Sequence, residues 1–274
     1  MRHTITAILL LALPLPSSAC GGGAEADTAS APRPDPVVTN AKMLGVGYNS
    51  TQDTYLSPLH YAGPELRYVS HTIRRRDDSP WLRLIINEGR LAEGESRSEN
   101  GALLSADYRF AYAVLHSWHL CDNRITIHAG GGAEALAGML YNTRNGNNPV
   151  QARCLINITA TARAEMQLHK VRLAYEASAP LVGITFSPNY GQSYYEIFSE
   201  GHYDHNIVPT TLAAMPSLRH SLTADIPLLN TTWRIGYLGD YRQQAVNNLK
   251  QHSYTSALVV GIVHTFTAGR RSPR

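Results

Sequence analysis

Nowhere in its 274 residues does this chain hold the roughly 20 consecutive apolar residues that a membrane-crossing helix needs, so helical spanning is excluded. Cysteine is scarce, at three residues. Cys121 and Cys154 fall at opposite ends of the strands proposed below, too far apart for a disulfide. Charge of one sign is lacking too. The net charge is +3, or +2 once Arg2 is lost with a leader, and no basic run is interleaved with aromatics, which argues against nucleic acid. The Gly130-Gly131-Gly132 run has no Lys-Ser or Lys-Thr after it and opens no helix, so it is no phosphate loop. Lying mid-strand, it marks a bulge or a close backbone approach.

What the chain does have is long alternation. Val150 to Met166 places Val150, Ala152, Cys154, Ile156, Ile158, Ala160, Ala162, Ala164 and Met166 on one parity, against Gln151, Arg153, Leu155, Asn157, Thr159, Thr161, Arg163 and Glu165 on the other, which is polar but for Leu155. Side chains alternate across a strand, so this is one strand far longer than the usual 5–6 residues, and a tilted lipid-spanning strand needs only about 9–11. The pattern recurs. Leu104, Ala106, Tyr108, Phe110, Tyr112 and Trp118 oppose Ser105, Asp107 and Arg109; Leu218, Leu222, Ala224 and Ile226 oppose Arg219, Thr223 and Asp225; Trp233, Ile235, Tyr237 and Tyr241 oppose Arg234, Asp240 and Arg242. A soluble sandwich alternates as well, but turns its apolar face to a core. Paired charges along long strands favour an apolar face toward lipid and a polar face toward a lumen.

The N-terminus agrees with export. Arg2 and His3 precede the apolar run Ile5–Leu13, and Ser17, Ser18 and Ala19 are small residues at a cleavage site, which makes residues 1–19 a signal peptide. Cleavage after Ala19 would leave Cys20 first, as in a lipoprotein, although Ser17 stands where such signals usually have Leu; simple cleavage is the alternative. Residues 20–40, rich in Gly, Ala and Pro, read as a flexible periplasmic tail, 41–267 as the barrel, and 268–274, with Arg270, Arg271 and Arg274, as a basic C-terminal tail.

Parity breaks place strands near 43–51, 64–77, 80–92, 102–118, 123–141, 150–166, 169–186, 217–228, 231–243 and 252–266. The expected fold is therefore all-β, a single antiparallel up-and-down transmembrane barrel of ten strands in the outer membrane, or of twelve if 187–216 hides a hairpin. Connections 78–79, 119–122, 167–168 and 229–230 are short and periplasmic; 52–63, 93–101, 142–149, 187–216 and 244–251 are longer and extracellular. The expected lumen holds Asp107, Arg109, Arg153, Arg163, Glu165, Arg172, Glu176, Arg219, Asp225, Arg234, Asp240 and Arg242. Seven Arg against five acids can form a rigid plug of ion pairs, or line a slightly anion-favouring path.

The loops carry a resemblance. Asn142-Thr-Arg-Asn-Gly-Asn-Asn-Pro149, Ser187-Pro-Asn-Tyr-Gly-Gln-Ser-Tyr-Tyr-Glu-Ile-Phe-Ser-Glu-Gly201 and Arg242-Gln-Gln-Ala-Val-Asn-Asn-Leu-Lys250, with Pro180–Phe186, Pro216–Arg219, Trp233–Asp240 and Gly261–Phe266, resemble a family of small Bacteroidota outer-membrane proteins catalogued as a domain of unknown function. The resemblance spans roughly Gly45 to Phe266 and implies barrel architecture and location, without a reaction.

Asn142, Arg144, Asn145, Tyr190, Tyr194, Tyr195, Glu196, Arg242, Asn247 and Asn248 share the expected extracellular rim, where they serve either as turn and packing residues or as a surface for a small solute or glycan. Tyr194, Tyr195, Ile197 and Phe198 form a short amphipathic turn that folds into the mouth or rests at the lipid interface. An outer-leaflet lipid hydrolase is the sharper alternative. It would use Ser193 or Ser199 as nucleophile, His202 or His205 as base and Glu196 or Asp204 as orienter, though no stretch reproduces the active-site motif expected of outer-membrane phospholipases. His202, Asp204 and His205 are weak metal donors on one loop; neither a metal nor another cofactor is expected. Outer-membrane lipid and the barrel-assembly machinery are the expected partners.

Overall fold

Because side chains alternate across a strand, a chain of period-two segments can bury one face only by packing sheets or by closing one. Here it closes one. The computed structural model describes residues 34–97, 101–121 and 124–269. Its strands are β1 (Val37–Asp53), β2 (Ser57–Arg75), β3 (Trp81–Ser96), β4 (Ala102–Leu120), β5 (Ile125–Asn142), β6 (Val150–Leu168), β7 (Val171–Phe186), β8 (Ile207–Thr211), β9 (Ser217–Leu228), β10 (Thr231–Val246) and β11 (Leu249–Thr267), with one short helix, α1 (Tyr194–Phe198), before β8. Sequence neighbours pair antiparallel around the wall, and β1 pairs with β11 to close it. Among the described residues no helix is long and apolar enough to cross a membrane.

Ten strands make the wall. Arg172–Ser178 of β7 pairs with β9, whereas Val182–Phe186 pairs with β8. The change of partner falls at Pro180, which cannot donate to a ladder, beside a register shift against β6. The 187–216 segment therefore hides a hairpin extension of β7, not two further wall strands. Following the register from Val46 one way round reaches Ala152 on β6, and the other way reaches Ala164, a stagger of 12 residues. With ten strands that stagger sets a tilt of about 40°.

Several boundaries differ from those expected. β1 begins at Val37, so 37–40 belong to the wall rather than to a flexible tail; the β-branched Val37-Val38-Thr39 run pairs with both β2 and β11. The expected signal peptide, most of the expected tail and Arg270, Arg271 and Arg274 lie outside the described residues. The expected long connections 52–63 and 244–251 shrink to the turns 54–56 and Asn247-Asn248, because the ladder continues beyond the apolar belt, as at Asp53 and Gln251. There both faces are polar and parity gives no signal. The end at which β1 begins and β11 ends, the termini end, has the connections 76–80, 121–124, 169–170 and 229–230, and the opposite end holds the long connection between β7 and β8.

Gly132 explains the glycine run. A Cβ there would lie 2.1 Å from the Tyr112 carbonyl oxygen, while the β4–β5 register has no bulge, so the run serves close strand approach. Cys121 and Cys154 are free and exposed. Leu44, Val46, Ile156, Ile158, Leu222, Leu258 and Val260 are exposed on the outer wall. Inside, an apolar cluster of Met43, Val69, Ile73, Leu82, Leu84, Leu115 and Val259 packs toward the termini end against one side.

Candidate functional site

Tilted, closed strands point one parity inward, and in this barrel the inward parity is cross-braced by charge. Arg67 on β2 donates from Nε and Nη2 to Glu65 Oε1 at 3.1 and 2.8 Å, from Nη1 to Glu88 Oε1, and from Nη2 to Thr255 Oγ1 at 2.7 Å. Arg90 binds Asp107, which Arg153 also reaches at 3.1 Å. Arg109 donates to Glu134 at 2.8 Å. Arg219 of β9 crosses the lumen to Glu88 of β3 and lies 3.6 Å from Asp240, as does Arg242.

A second cluster lies toward the termini end. Arg163 joins Glu165 and Glu176 at 2.8 and 2.9 Å. His71 of β2 contacts Glu176 of β7 at 3.0 Å, and Arg75 reaches Glu165 of β6 at 3.4 Å, both across the lumen. Arg234 holds Asp225 in a two-pronged bond at 2.6 and 2.8 Å. Cavities lined by these residues have volumes of only about 20 Å³.

The expected lumen residues Asp107, Arg109, Arg153, Arg163, Glu165, Glu176, Arg219, Asp225, Arg234, Asp240 and Arg242 all face this interior. Arg172 does not join them: it keeps the inward parity but stands exposed one residue into β7, where the strand end meets solvent. Glu65, Arg67, His71, Glu88, Arg90 and Glu134 were not anticipated. On β2 and β3 their signal was present, since Glu65 and Arg67 alternate with Leu66 and Tyr68, and Arg90 precedes Leu91.

The loop end is capped. Leu56, Tyr61, Leu103 and Leu140 form an apolar cluster in the mouth, and Met215 packs on Leu136 and Leu155. α1 lies in this cap with Ile197 fully buried. Tyr194 Oη accepts from Ala152 N–H at 2.7 Å and donates to Gln151 Oε1 at 2.9 Å; burial raises its phenol above the ordinary range, which keeps the donating proton in place. Tyr55 meets the Tyr194 ring edge-on, and Phe198, 63% exposed, stacks on Phe186 of β7. The turn therefore fills the mouth with Ile197 and Tyr194, while Phe198 lies against Phe186 of β7.

Of the rim residues, Asn142 is buried and donates to Tyr61 Oη at 3.1 Å, Asn145 caps its own turn by accepting from the Asn147 and Asn148 amides, and Asn247 donates to the Ser187 and His205 carbonyls. Arg242 is drawn into the lumen. Arg144, Tyr190, Tyr195 and Asn248 stay exposed.

The residues considered for hydrolysis are not assembled as a Ser-His pair. Ser193 is the N-cap of α1, its Oγ accepting from the Glu196 amide at 3.2 Å and donating to Glu196 Oε2 at 3.0 Å. His202 lies beside Glu200 and His205 beside Asp204, all exposed. The Ser193 amide and hydroxyl together hold the Glu196 carboxyl below the usual carboxylate range. A depressed carboxylate contributes stability above its unfolded value and loses it as pH falls through the folded one. Protease resistance of 187–206 is therefore expected to hold from about pH 8 to about pH 5 and to decline below about pH 4. Ser193→Ala, which loses a cap worth about 1 kcal/mol, is expected to flatten that profile.

The sequence profile of a family described as "Protein of unknown function (DUF3316)" matches residues 6–271. No curated protein matches the chain. Among solved structures, the chain is similar to the outer membrane protease OmpT from Escherichia coli, with a TM-score of 0.49 at 7% identity over 88% of this chain and 100% of that one. It is also similar to the translocator domain of the autotransporter NalP from Neisseria meningitidis (TM-score 0.38, 10% identity, 86% and 90%) and to Ail of Yersinia pestis (TM-score 0.29, 11% identity, 83% and 99%).

Proposed function

We propose that this chain, which belongs to the DUF3316 family of proteins of unknown function, is a non-conducting barrel of the outer membrane of a Bacteroidota cell, with a sealed lumen that braces its wall and a capped loop end displayed outside. The observation that carries this reading is the lumen itself: charges paired across the barrel leave cavities of about 20 Å³. Such a space holds about one water, too little for a solute to pass there. Short turns, with the start of β1 and the end of β11 beside them, make that end periplasmic by the rule for single-chain barrels. Outer-membrane lipid contacts the apolar belt, the barrel-assembly machinery inserts the chain, and exposed Arg144, Tyr190, Tyr195 and Asn248 offer a polar-aromatic surface to a solute or glycan.

Planar-bilayer recording tests it. Wild-type protein is expected to give no stepwise conductance, whereas the triple variant Arg90→Ser, Asp107→Ser, Arg153→Ser, which removes one layer of the brace, is expected to open a water column and conduct. Wild-type steps that change with Arg153→Ser alone would establish a native pore and overturn the proposal.

A further inference from the structure

The outward face of the β2–β3 hairpin breaks the rule that like charges avoid direct opposition. Arg74 and Arg83 are register partners two residues in from the 76–80 turn. Directly opposed side chains have Cβ atoms about 4.5–5.5 Å apart, and two cations so placed destabilise the pairing unless an anion sits between them. Among the described residues no carboxylate lies within ion-pair distance of Arg74, Arg76 or Arg83, whereas their inward neighbour Arg75 is held by Glu165. These arginines, with Trp81 and Ser79, line a cavity of about 110 Å³.

The position specifies the anion. Trp81 stacks edge-on against His116 at 5.0 Å, and His116 packs on Trp118 at 4.5 Å, an aromatic band on the outer wall of the kind found at headgroup level. Beyond the Arg83–Val114 pair, Ile85 and its register partner Tyr112 continue the outward parity toward the middle of the wall, where acyl chains would lie. A guanidinium pair suits a phosphate, whose oxygens accept several charge-assisted bonds at once.

We propose that Arg74 and Arg83, assisted by Arg76 and Trp81, bind the phosphate of an anionic glycerophospholipid in the leaflet facing the chain termini. The site rests on the membrane orientation given under Proposed function. The lipid neutralises a repulsion built into the hairpin, so it should act as a structural ligand of the closed barrel.

Full-length barrel and the variants R74Q/R83Q and R124Q, the last an exposed arginine in the 121–124 turn, would be placed in phosphatidylcholine vesicles with or without phosphatidylglycerol, and in phosphatidylcholine with inorganic phosphate. Native mass spectrometry after detergent extraction reads bound lipid, and gel mobility with and without boiling reads closure. The phosphatidylglycerol-carrying fraction is expected to fall about tenfold in R74Q/R83Q and to stay unchanged in R124Q. In phosphatidylcholine alone R74Q/R83Q is expected to match or exceed wild type in heat resistance, because the repulsion is gone. Equal lipid retention by R74Q/R83Q and wild type, or a double variant less heat-resistant than wild type in phosphatidylcholine, overturns the site. Protection of wild type by inorganic phosphate equal to that by phosphatidylglycerol overturns the lipid as occupant. A wild type that never gives a fast unboiled band condemns the membrane-barrel reading instead, which keeps the two failures apart.

Discussion

Arg67→Met is expected to cost about 3–5 kcal/mol of barrel stability, read as a lower denaturant midpoint for loss of the fast-migrating unboiled band. Arg67 is buried and bonds Glu65, Glu88 and Thr255 together. Methionine fills much of its volume but leaves two buried carboxylates without that guanidinium. Glu65 would keep only Arg90 at 3.6 Å, and Glu88 would keep Arg109 at 3.8 Å and Arg219. The large effect comes from the stranded charges, so the same change combined with Glu65→Leu is expected to recover a substantial part of it, since a well-packed apolar replacement of a buried pair is often neutral. Equal losses in the single and double variants would show that shape rather than charge decides this layer.

Gly261→Val is expected to prevent closure, giving protein that migrates alike with and without boiling. Gly261 lies on β11 opposite Met43 of β1, at the seam joining the ends of the sheet. A Cβ there would stand 2.0 Å from the Lys42 carbonyl oxygen and 2.6 Å from Met43 Cα. Backbone must move to admit it, and the seam ladder is what separates a barrel from an open sheet with two unpaired edges. Overpacking typically costs about 1–3 kcal/mol, and a clash with backbone lies at or above the top of that range. Gly89→Ala is the matched control: no atom lies within 4 Å of a Cβ at that position, so closure is expected to survive. A closed Gly261→Val barrel would mean that the seam relaxes freely.

The wall was legible because lipid and lumen impose opposite demands on successive residues. Val150 to Met166 obeys both at every position except the inward Leu155, and β6 duly runs Val150–Leu168. Legibility stopped where one demand lapsed. Above the belt both faces of β1 and β11 are polar, so Gln52 and Gln251 carry no parity and the connection was read as longer than its three-residue turn. On the rim, residue type alone could not separate Asn142, buried against Tyr61, from Asn248, which is exposed. Nor could it tell a serine that caps α1 through Glu196 from one awaiting a histidine, because both roles use the same hydroxyl.

By itself the sequence determined the all-β class and the parity that faces inward, for both follow from period-two chemistry along the chain, while a wall of ten rather than twelve strands was settled by the partners of β7. Only the tertiary structure decided which inward charges meet. His71 with Glu176, Arg75 with Glu165 and Arg219 with Glu88 join strands that are not neighbours, and the stagger of 12 residues sets the height at which each side chain crosses the lumen. That stagger belongs to the closed ring rather than to any strand, so the pattern of bonds across the lumen is a property of closure and could not be read from one segment at a time.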